Sequence, residues 1–310
     1  MAIRGRRILQ RQKLSSDCDV VIVNYNAGEL LSLCVSSALH QGVGHVIVVD
    51  NASHDASLIQ LEHDFPSEPR LRVIRNQENL GFAKACNIGV EASSAKYVLF
   101  LNPDSTLEDG SLGRMIVVLE NDTSFGMVGG MLCNPDGSEQ PGGRRVFPTP
   151  RRAFMRAFGL SQLGKICPCL FSDFLLHKEP LPAAPSPVEA ISGACMLVKR
   201  AALEDVGPWD EKYFLHCEDL DLCMRFRQKG WKILFVPDAP VVHQHGICGK
   251  SCPIFVEWHK HRGMIRFYRK FFRHQYPGVL MSLVTFGVWL RFGVVAVYYT
   301  AQRARGKNGG

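Results

Sequence analysis

Three acidic side chains fall within four residues in the segment Cys217-Glu218-Asp219-Leu220-Asp221, where a helix is predicted to begin. The apolar residues Tyr213-Phe214-Leu215 precede this segment and indicate that the acids are partly sheltered from water. A sheltered carboxylate can have its pKa adjusted so that it acts as a general base. The alternative is that the acids only stabilise the N-terminus of the helix through its dipole.

Another acid ends the tripeptide Asn102-Pro103-Asp104, directly after an apolar segment. A carboxylate in this place can bind a hard divalent cation that bridges two phosphates, although the tripeptide alone is also typical of a turn. His243, in the segment His243-Gln244-His245-Gly246, could complete such a metal site together with Asp104. A zinc site that combines the histidines with Cys248 and Cys252 is a further alternative, but the spacing matches no standard zinc pattern.

Two further motifs are suited to nucleotide binding. The segment Val48–Asp55 places Asp50 at the end of an apolar run, where its carboxylate can accept a hydrogen bond from a nucleobase N–H. Asp50 and Ser53 could instead cap the next helix, and one cluster can do both. The segment Asn79–Gly89 has glycines beside a predicted helix start, where the backbone can approach a phosphate, although ordinary helix packing also explains them.

The elements that must position these groups follow from an alternation of short apolar runs with longer helical segments. The predicted strands are Val20–Val23, Val46–Val49, Leu71–Ile74 and Tyr97–Leu101, and the predicted helices are Gly28–His40, His54–His63 and Phe82–Ala92. Right-handed crossovers of this kind predict a doubly wound, mostly parallel sheet. Ligands of such sheets bind beyond the carboxyl ends of the strands, where three polar clusters of this sequence converge.

The second half of the chain has a looser pattern. We predict a helix to Asn121, a strand near Met127–Leu132, an irregular segment 134–187, a buried strand Ala190–Val198, a helix Asp219–Lys229, a strand Lys232–Val236 followed by a turn, and a basic, aromatic helix Phe255–Phe272. Four prolines near the end of the irregular segment favour a loop over the active face.

Composition limits the class of protein. The chain has 310 residues, of which 46% are hydrophobic and 21% charged, which excludes wholesale disorder and fits one large domain or two modest ones. Its 36 Lys and Arg exceed its 29 Asp and Glu by seven, an excess too small to indicate a nucleic-acid-binding protein. The eleven cysteines are scattered and the N-terminus has no apolar signal core, so we expect a reducing cytoplasm rather than secretion.

Basic residues are concentrated in three segments without acids, 1–16, 140–172 and 258–275. Such runs suggest an anionic partner, either phosphate or a lipid head-group surface, although solvated loops and helix faces are also basic. Residues 278–300 form an apolar run of about the length that spans a bilayer, interrupted only by Arg291. The run can be a membrane span, an interfacial helix or a core helix, and its central charge favours the interface.

Taken in order, the motifs resemble those of the inverting nucleotide-sugar glycosyltransferases of family 2, and especially their rhamnosyltransferase-like branch. They are specific in combination and cover residues 18–275. The motifs are Val-Asn-Tyr-Asn at 23–26, Val-Val-Asp-Asn-Ala-Ser at 48–53, Asn-Leu-Gly-Phe-Ala at 79–83, Leu-Asn-Pro-Asp at 101–104, Ser-Gly-Ala at 192–194, Glu-Asp-Leu-Asp-Leu at 218–222, and His243 with Gly246. The resemblance implies a GT-A type α/β fold with a mostly parallel, doubly wound central sheet, flanking helices and a C-terminal helical extension.

The resemblance also implies roles for single residues. The residue matching Asp50 binds the pyrimidine base in this family, that matching Asp104 is the metal-binding acid of a degenerate Asp-X-Asp motif, and that matching Asp219 is the catalytic base. His243 matches a later metal or diphosphate contact, and Glu218 is the competing candidate for the base. The full set of predicted nucleotide-sugar contacts is Asn24, Asn26, Asp50, Asn51, Asn79, Gly81, Lys84, Asn87, Asn102 and Asp104. Asn102 replaces the first acid of the usual Asp-X-Asp, which leaves the identity of the metal open.

These roles imply a single in-line displacement with inversion of the anomeric configuration. Asp219 would remove a proton from an acceptor hydroxyl. A divalent cation, Mg2+ or Mn2+, held by Asp104 and His243, would stabilise the departing nucleoside diphosphate. No covalent sugar-enzyme intermediate is needed.

The branch resemblance implies dTDP-L-rhamnose as the donor, in bacterial surface polysaccharide or cell-wall synthesis. The expected acceptor is a glycan linked to polyprenyl diphosphate, met at an anionic membrane surface. We expect the protein at the cytoplasmic face of the inner membrane, peripherally bound or anchored by residues 278–300. No nucleic-acid partner is expected, and the oligomeric state stays open.

The predicted domain organisation is a basic N-terminal arm at 1–17, a GT-A domain at 18–253 and a C-terminal extension at 254–310. Within the domain, 18–110 is the nucleotide-binding half and 111–253 the acceptor and catalytic half. Two alternatives keep the fold. One is a transferase with another donor, such as a hexose or galactofuranose, or with polyprenyl phosphate as its acceptor. The other is a non-catalytic sugar-nucleotide-binding or scaffold subunit.

Overall fold

The fold is described from a computed structural model, which covers residues 15–150, 152, 176–244 and 252–307. Several residues of the sequence-based predictions lie outside the described residues. They are 1–14 of the basic arm, Arg151, Arg156 and Lys165 of the second basic run, and His245, Gly246 and Cys248 near the predicted metal site.

Four parallel strands with helical crossovers form the first half of the sheet, as predicted. They are β1 (Cys18–Asn24), β2 (Val46–Asp50), β3 (Leu71–Arg75) and β4 (Tyr97–Leu101), with helices α1 (Leu30–His40), α2 (Ser57–Asp64) and α3 (Phe82–Glu91). β1 lies between β2 and β4, and its register pairs Asn24 with Asp50. Every residue of β1, β2 and β4 is buried, which is typical of parallel strands covered on both faces. The polar residues that follow these strands therefore meet at one edge of the sheet.

The second half widens the same sheet. Its elements are β5 (Ser105–Leu107), α4 (Ser111–Glu120), β6 (Phe125–Cys133), β7 (Arg144–Arg145), a single 3-10 turn (Leu176–Lys178), β8 (Ser186–Pro187), β9 (Ala190–Ile191), β10 (Cys195–Lys199), α5 (Arg200–Val206), α6 (Glu218–Gln228) and β11 (Lys232–His243). Within the described residues, nine strands form one sheet in the order β3-β2-β1-β4-β10-β6-β11-β5, with β8 beside β11. β10 is antiparallel to both its neighbours, whereas β6 and β11 are parallel. The mostly parallel α/β fold is confirmed. Both predicted halves contribute strands to this sheet, and their boundaries stay a prediction.

The predicted strand Ala190–Val198 is wrong as a single element. Its first two residues form β9, which pairs with β7 in a separate two-stranded sheet, and its last residues form β10. The connecting Ser192-Gly193-Ala194 bonds to other loops, because Ser192 N donates to Gly143 O (3.1 Å) and Ala194 O accepts from Asn102 N (3.0 Å). A continuous apolar run conceals this change of partner, since both parts are buried.

The predicted turn after Val236 is also wrong. β11 continues to His243, and its pairing with β6 shifts register between Val236 and Pro240. Such an irregularity accommodates Pro237, which has no N–H for a regular ladder. The continuation carries His243 to β5, where it lies opposite Ser105.

Two helices end the described chain, α7 (Pro253–Phe271) and α8 (Gly278–Lys307). They pack on each other, and the rings of Trp258 and Trp289 lie 4.9 Å apart between centroids. In the part of the chain that the structure describes, α8 is the one helix long and apolar enough to cross a membrane. Only 6% of its most apolar window is buried, so the core-helix alternative for residues 278–300 is wrong.

Candidate active site

Unfavourable backbone conformations mark the edge of the sheet where the strands end. Among the described residues, positive φ angles outside glycine occur at Asn26, Ala52, His216 and Cys217. The first follows β1, the second follows β2, and the last two directly precede α6. Left-handed conformations are costly for residues with a side chain, and they concentrate at functional sites. Their distribution agrees with a ligand site at this edge.

The side chains of Asn24, Asp50, Ser53 and Ser57 form a polar cluster after β1 and β2, here called the Asp50 cluster. Asn24 Nδ2 lies 2.7 Å from Asp50 Oδ1, 3.0 Å from Ser53 Oγ and 2.9 Å from Ser57 Oγ. Asp50 also accepts the hydroxyl and the main-chain N–H of Ser53, at 2.6 and 3.1 Å. Asn26 N donates to the same hydroxyl oxygen (3.0 Å). α2 has no side-chain cap, so Asp50 shapes the turn before this helix rather than capping it.

The predicted residues of the glycine motif link this edge to the loop before α6. Asn51 accepts from Asn76 Nδ2 (2.8 Å) and donates to Gly81 O (3.2 Å), while Asn79 Oδ1 accepts from Gly81 N (3.0 Å). Gly81 has a φ of 85°, and a Cβ there would lie 2.7 Å from Phe214 O. Glycine is required because the two backbones approach so closely. The motif thus holds the start of α3 against the loop before α6.

Two residues of α3 differ in how they suit their predicted nucleotide contact. Lys84 is exposed, so its ammonium group is accessible to a phosphate. Asn87 is buried, and its Nδ2 lies 3.0 Å from both Trp209 O and Glu211 Oε1, while its Oδ1 accepts from Trp209 N (2.9 Å). These bonds attach α3 to the segment before α6 and give Asn87 a structural task, and its contact with the nucleotide stays a prediction.

Asp104 and His243 face each other, and we call them the Asp104–His243 pair. Asp104 Oδ1 lies 3.2 Å from His243 Nε2, and the side chains are 6% and 7% exposed. This contact lacks the geometry of a hydrogen bond, and within the described residues Asp104 Oδ1 accepts none. Asn102 Nδ2 lies 3.5 Å from the same ring nitrogen. A buried carboxylate oxygen without a donor is costly, and a cation beside it would compensate that cost.

The pair fits a hard divalent cation that retains other ligands. Mg2+ is usually held by one or two carboxylates together with water and substrate phosphates, and imidazole and carboxylate groups also suit first-row divalent metals. Groups of three or more His, Cys, Asp or Glu that could hold a metal do not occur among the residues the structure describes. Asp104 and His243 would hold such a cation together with water or a donor's phosphates. The alternative zinc site gains no support from Cys252, which is an exposed free cysteine.

Asp219 is held at the start of α6 by three donors. Its Oδ2 accepts hydrogen bonds from Arg145 Nη2 and, at 3.3 Å, from Gly193 N. Its Oδ1 accepts from Leu220 N at 2.7 Å. Arg145 is fixed in turn by a bond to Ile191 O (2.9 Å). These contacts hold the carboxylate in one orientation at the sheet edge.

Glu218 differs from Asp219 in its surroundings. It is 7% exposed, and its Oε2 has no hydrogen-bond partner among the described residues. Burial and then the charge of Asp219 raise the pKa of Glu218 to about 8. Burial and the charge of Asp219 both favour the protonated form of Glu218, whereas the carboxylate of Asp219 is paired with Arg145, and this difference favours Asp219 over Glu218 as the base.

Sequence reasoning missed two residues of this site, Gln140 and Arg145. Gln140 Oε1 lies 2.5 Å from His243 Nδ1. The turn signal Asn134-Pro135-Asp136-Gly137 directly after β6 could have found it, because it predicts a chain reversal that brings Gln140 back along the strand. Arg145 carries no such signal, because the sequence shows it only as part of a basic run expected to meet an anionic partner.

That expectation fails for the described arginines of the second basic run. Arg144 is buried and bonds to Glu139 (2.7 Å), Arg145 bonds to Asp219, and Arg152 lies 3.3 Å from Glu189. These guanidinium groups neutralise acids of the same chain, so they give no support to a contact with membrane phosphates.

The cations of α7 and of the residues that directly follow it form two sets. Three of them bond to acids inside the protein, Lys260 to Glu257, Arg266 to Asp210, and Lys270 to Asp210 and Asp221. Arg262, Arg269 and Arg273 are exposed. Arg269 and Arg273 also line a groove of about 740 Å³ between α7 and α8, whose walls include Met281 and Trp289. Part of the third basic run is thus available to an anionic partner.

The single charge of the apolar run faces α7. Arg291 Nη1 donates to His261 Nε2 (3.1 Å), and His261 Nδ1 donates to Glu257 O (2.6 Å). Burial lowers the pKa of His261, so the neutral ring can accept the bond. Apolar side chains spaced three or four residues apart are exposed along α8, namely Val279, Leu283, Phe286, Leu290, Val294 and Val297. We call them the α8 stripe.

Comparison with known protein families finds two matches. Residues 19–207 match the family model described as glycosyl transferase family 2, and residues 171–302 match glycosyl transferase family group 2. The first match contains the Asp50 cluster and Asp104.

Two relatives each match 72% of this chain. The N-acetylglucosaminyl-diphospho-decaprenol L-rhamnosyltransferase of Mycobacterium tuberculosis is 31% identical over 238 residues, which are 72% of this chain and 75% of the relative. The low-salt glycan biosynthesis hexosyltransferase of Haloferax volcanii is 24% identical over 233 residues, 72% of this chain and 66% of the relative.

Two solved structures share the fold. GalNAc-T7 with UDP, GalNAc and Mn2+ has a TM-score of 0.59 at 16% identity, over 81% of this chain and 47% of the other. A mannosyltransferase of Pyrobaculum calidifontis in complex with GDP-Man and Mn2+ has a TM-score of 0.56 at 15% identity, over 100% of this chain and 85% of the other. The predicted GT-A type fold is confirmed.

Proposed function

The chain belongs to glycosyl transferase family 2, a family of nucleotide-sugar-dependent transferases, and from this premise we propose that it transfers L-rhamnose from dTDP-L-rhamnose to a lipid-linked glycan. The proposal includes inversion at the anomeric carbon and a position at the cytoplasmic face of a membrane. The choice of sugar and acceptor is supported by the mycobacterial relative, whose name states L-rhamnose transfer to a decaprenol-linked N-acetylglucosamine.

One observation carries the catalytic part of the proposal. The dipeptide Gly193-Ala194 joins the acid at the start of α6 to the segment that bears Asp104. Gly193 N donates to Asp219 Oδ2 (3.3 Å), and Ala194 O accepts from Asn102 N (3.0 Å). A base and a cation-binding pair are thus attached to the same short connection between β9 and β10. The proposed transfer uses both groups in one site, the base at the acceptor hydroxyl and the cation-binding pair at the donor's diphosphate.

Each proposed role follows from the surroundings of the side chain. Asp219 accepts the proton of the acceptor hydroxyl as that oxygen bonds to the anomeric carbon and the bond to the donor's phosphate oxygen breaks. A divalent cation bound by Asp104 and His243 supplies neutralisation of the charge on the leaving diphosphate. Lys84 is exposed near the start of α3 and is assigned to a donor phosphate. The Asp50 cluster is assigned to the N–H edge of the pyrimidine.

Uracil and thymine present the same N3–H, so a carboxylate that binds this edge does not distinguish UDP-sugars from dTDP-sugars. The donor must therefore be identified by measurement. We would measure binding of dTDP-L-rhamnose, UDP-hexoses and GDP-mannose by calorimetry, with and without Mn2+. The expected result is Mn2+-dependent binding of dTDP-L-rhamnose that Asp104→Ala weakens. Asp109→Ala is the matched control, because Asp109 is an acid five residues away whose side chain is 91% exposed.

The other outcomes separate the alternatives. Tight binding of a UDP-hexose with no binding of dTDP-L-rhamnose would identify the UDP-hexose as the donor. The fold and the proposed mechanism would be unaffected. Binding of dTDP-L-rhamnose without transfer to any lipid-linked acceptor would favour the non-catalytic subunit. If none of the nucleotide sugars binds under any condition, the proposal is wrong.

The membrane part of the proposal is supported by the two faces of α8. Its only charge in the apolar run, Arg291, bonds to α7, whereas the α8 stripe is exposed. An apolar stripe beside exposed arginines is the arrangement of a helix that lies in the interface of an anionic membrane. The α8 helix therefore lies along the membrane surface, with Arg269 and Arg273 toward lipid phosphates.

Flotation with vesicles tests this orientation. The full chain is expected to float with vesicles that contain phosphatidylglycerol and to remain free with neutral vesicles. Arg269→Gln combined with Arg273→Gln should weaken the association, because each cation near an anionic surface contributes about 1 kcal/mol. High salt should weaken the association of the wild-type protein by a similar amount. Lys229→Gln combined with Lys232→Gln is the control, because it removes the same charge from the catalytic body. Equal flotation of the two double variants would contradict the orientation.

A further inference from the structure

We propose that Gln140 is a positioning residue that holds His243 in the tautomer with hydrogen on Nδ1 and thereby directs the Nε2 lone pair to the cation shared with Asp104. This inference rests on the metal site of the proposed function. It assigns a task to a side chain that is 4% exposed and belongs to none of the quoted motifs.

The orientation of Gln140 follows from a chain of hydrogen bonds that begins at Asp136. The Ser138 hydroxyl donates to Asp136 Oδ1 (2.6 Å) and lowers the pKa of Asp136, so this carboxylate accepts and does not donate. Ser138 Oγ has then used its only hydrogen and must accept from Asn134 Nδ2, 2.9 Å away. The other end of that amide, Asn134 Oδ1, is an acceptor that lies 3.2 Å from Gln140 Nε2.

A main-chain carbonyl fixes the same orientation independently. His243 O lies 3.1 Å from Gln140 Nε2, and a carbonyl oxygen can only accept. Two acceptors around one terminal atom identify that atom as the NH2 group of Gln140. The remaining atom, Oε1, must therefore be the one that faces His243 Nδ1 at 2.5 Å.

The tautomer of His243 follows from this contact. An amide oxygen and an unprotonated ring nitrogen 2.5 Å apart would repel each other, so Nδ1 carries hydrogen and donates to Gln140 Oε1. In the neutral ring the lone pair is then on Nε2, which lies 3.2 Å from Asp104 Oδ1. A doubly protonated ring would keep the same bond to Gln140. A cation can bind Nε2, the nitrogen that faces Asp104, in the neutral ring, whereas the doubly protonated ring must first release its Nε2 proton.

Local structure explains why Gln140 reaches this place. β6 ends at Cys133, and the turn that follows closes with Gly137 in a left-handed conformation, φ 82°. Gln140 N then donates to Leu132 O (2.8 Å), which returns the chain to the end of β6. Because β11 runs parallel to β6 with Val242 opposite Cys133, the returning chain meets His243. Outer groups that orient a metal-binding histidine in this way raise metal affinity.

The tautomer can be measured directly by nitrogen-15 NMR on the metal-free full chain with labelled histidine. His243→Gln assigns the resonance by its disappearance. The wild-type His243 is expected in the Nδ1–H form, and Gln140→Leu is expected to shift it toward Nε2–H. Gln140→Glu keeps an acceptor for Nδ1–H, but its second oxygen faces Asn134 Oδ1 and His243 O and needs a proton to donate to either of them; in that protonated form the variant should keep the wild-type tautomer.

Affinity for Mn2+ alone, measured by electron paramagnetic resonance, gives a second readout. Gln140→Leu should weaken Mn2+ binding by about 10–100-fold, the range typical of outer partners of a metal ligand. Gln140→Glu should retain it. Gln41→Leu is the matched control, because Gln41 is a buried glutamine whose amide bonds to Glu108 O and Leu112 N instead.

Each result has one meaning. A wild-type His243 in the Nε2–H tautomer overturns the inference, and so does a folded Gln140→Leu variant with unchanged tautomer and unchanged Mn2+ affinity. If Gln140→Leu does not fold, the wild-type spectrum and Gln140→Glu still decide. An Nδ1–H histidine in a protein that transfers no sugar would leave the inference standing and overturn the proposed function instead.

Discussion

The Asp50 cluster and the Asp104–His243 pair lie on one edge of the same sheet, yet they are constructed in opposite ways. Both oxygens of Asp50 accept hydrogen bonds from Asn24 or Ser53. Within the described residues, Asp104 Oδ1 accepts none and faces the ring of His243. A buried carboxylate whose oxygens accept hydrogen bonds stabilises the fold. A buried carboxylate oxygen that accepts none lowers the free energy of unfolding, but it favours binding of a cation.

The two acids of α6 repeat the contrast. Asp219 is oriented by Arg145, Gly193 and its own helix, while Glu218 is buried with an unpartnered oxygen and a raised pKa. The difference shows how one edge of a sheet can contain both rigid recognition groups and groups that respond to protons or metal. Four predictions test whether the contrast is real, and they run from the largest expected effect to the smallest.

The largest effect is expected for Asp219→Asn. Removal of the proposed base should lower kcat by about 10²–10⁴-fold, with donor binding retained. Glu218→Gln should change kcat little at neutral pH, because burial and the charge of Asp219 raise the pKa of Glu218 and the amide resembles the protonated carboxyl. Steady-state kinetics with the identified donor measures both. Equal losses in the two variants would mean that the two acids act as a unit.

The second prediction concerns the cation. Asp104→Asn should weaken Mn2+ binding by more than the about 10–100-fold expected for an outer partner, because it removes a direct ligand. Asp50→Asn should leave Mn2+ affinity unchanged and weaken the pyrimidine contact instead. Metal binding by paramagnetic resonance and nucleotide binding by calorimetry separate the two. A loss of Mn2+ affinity in Asp50→Asn would contradict the assignment of the cation to Asp104 and of the pyrimidine to Asp50.

The third prediction concerns stability without metal. Asp50→Asn disrupts the hydrogen bonds of a buried cluster and should lower the free energy of unfolding by about 1–3 kcal/mol. Asp104→Asn replaces a buried carboxylate whose Oδ1 accepts no hydrogen bond within the described residues, and it should leave stability unchanged or raise it. Urea denaturation in the presence of a chelator measures the difference. Destabilisation of both variants to the same extent would contradict the contrast drawn from their hydrogen bonds.

The smallest effect is a pH dependence. Burial raises the pKa of Glu218 from 4.5 to about 8, so between these values the folded protein keeps a proton that the unfolded chain has released. The stabilising contribution of the protonated carboxyl is complete below pH 4.5 and is lost as pH rises to about 8. Glu218→Gln should therefore gain stability relative to the native protein as pH rises through this window. Parallel stability profiles of the two proteins would show that Glu218 titrates normally.

The first half of the fold was predictable because its information is local. Each of the strands β1 to β4 is a short apolar run bounded by polar residues, and each crossover is long enough for a helix. The second half of the fold was not predictable in this way. The continuous apolar run Ala190–Val198 predicts a single strand, although its two ends pair in different sheets. The insertion of β10 between β4 and β6 depends on pairing with residues nearly a hundred positions away.

The amino-acid sequence by itself determined the parallel core of this protein and the acids that stand at its strand and helix ends, since periodicity and punctuation act over a few residues. Only the tertiary structure decided which of those acids are bonded, buried or unpaired. Arg145 and Asp219 are 74 residues apart in the chain, and Gln140 and His243 are 103 apart. Hydrogen-bond partners, tautomers and shifted pKa values depend on such distant groups, because they arise from atoms within a few ångströms in space rather than from neighbours in sequence.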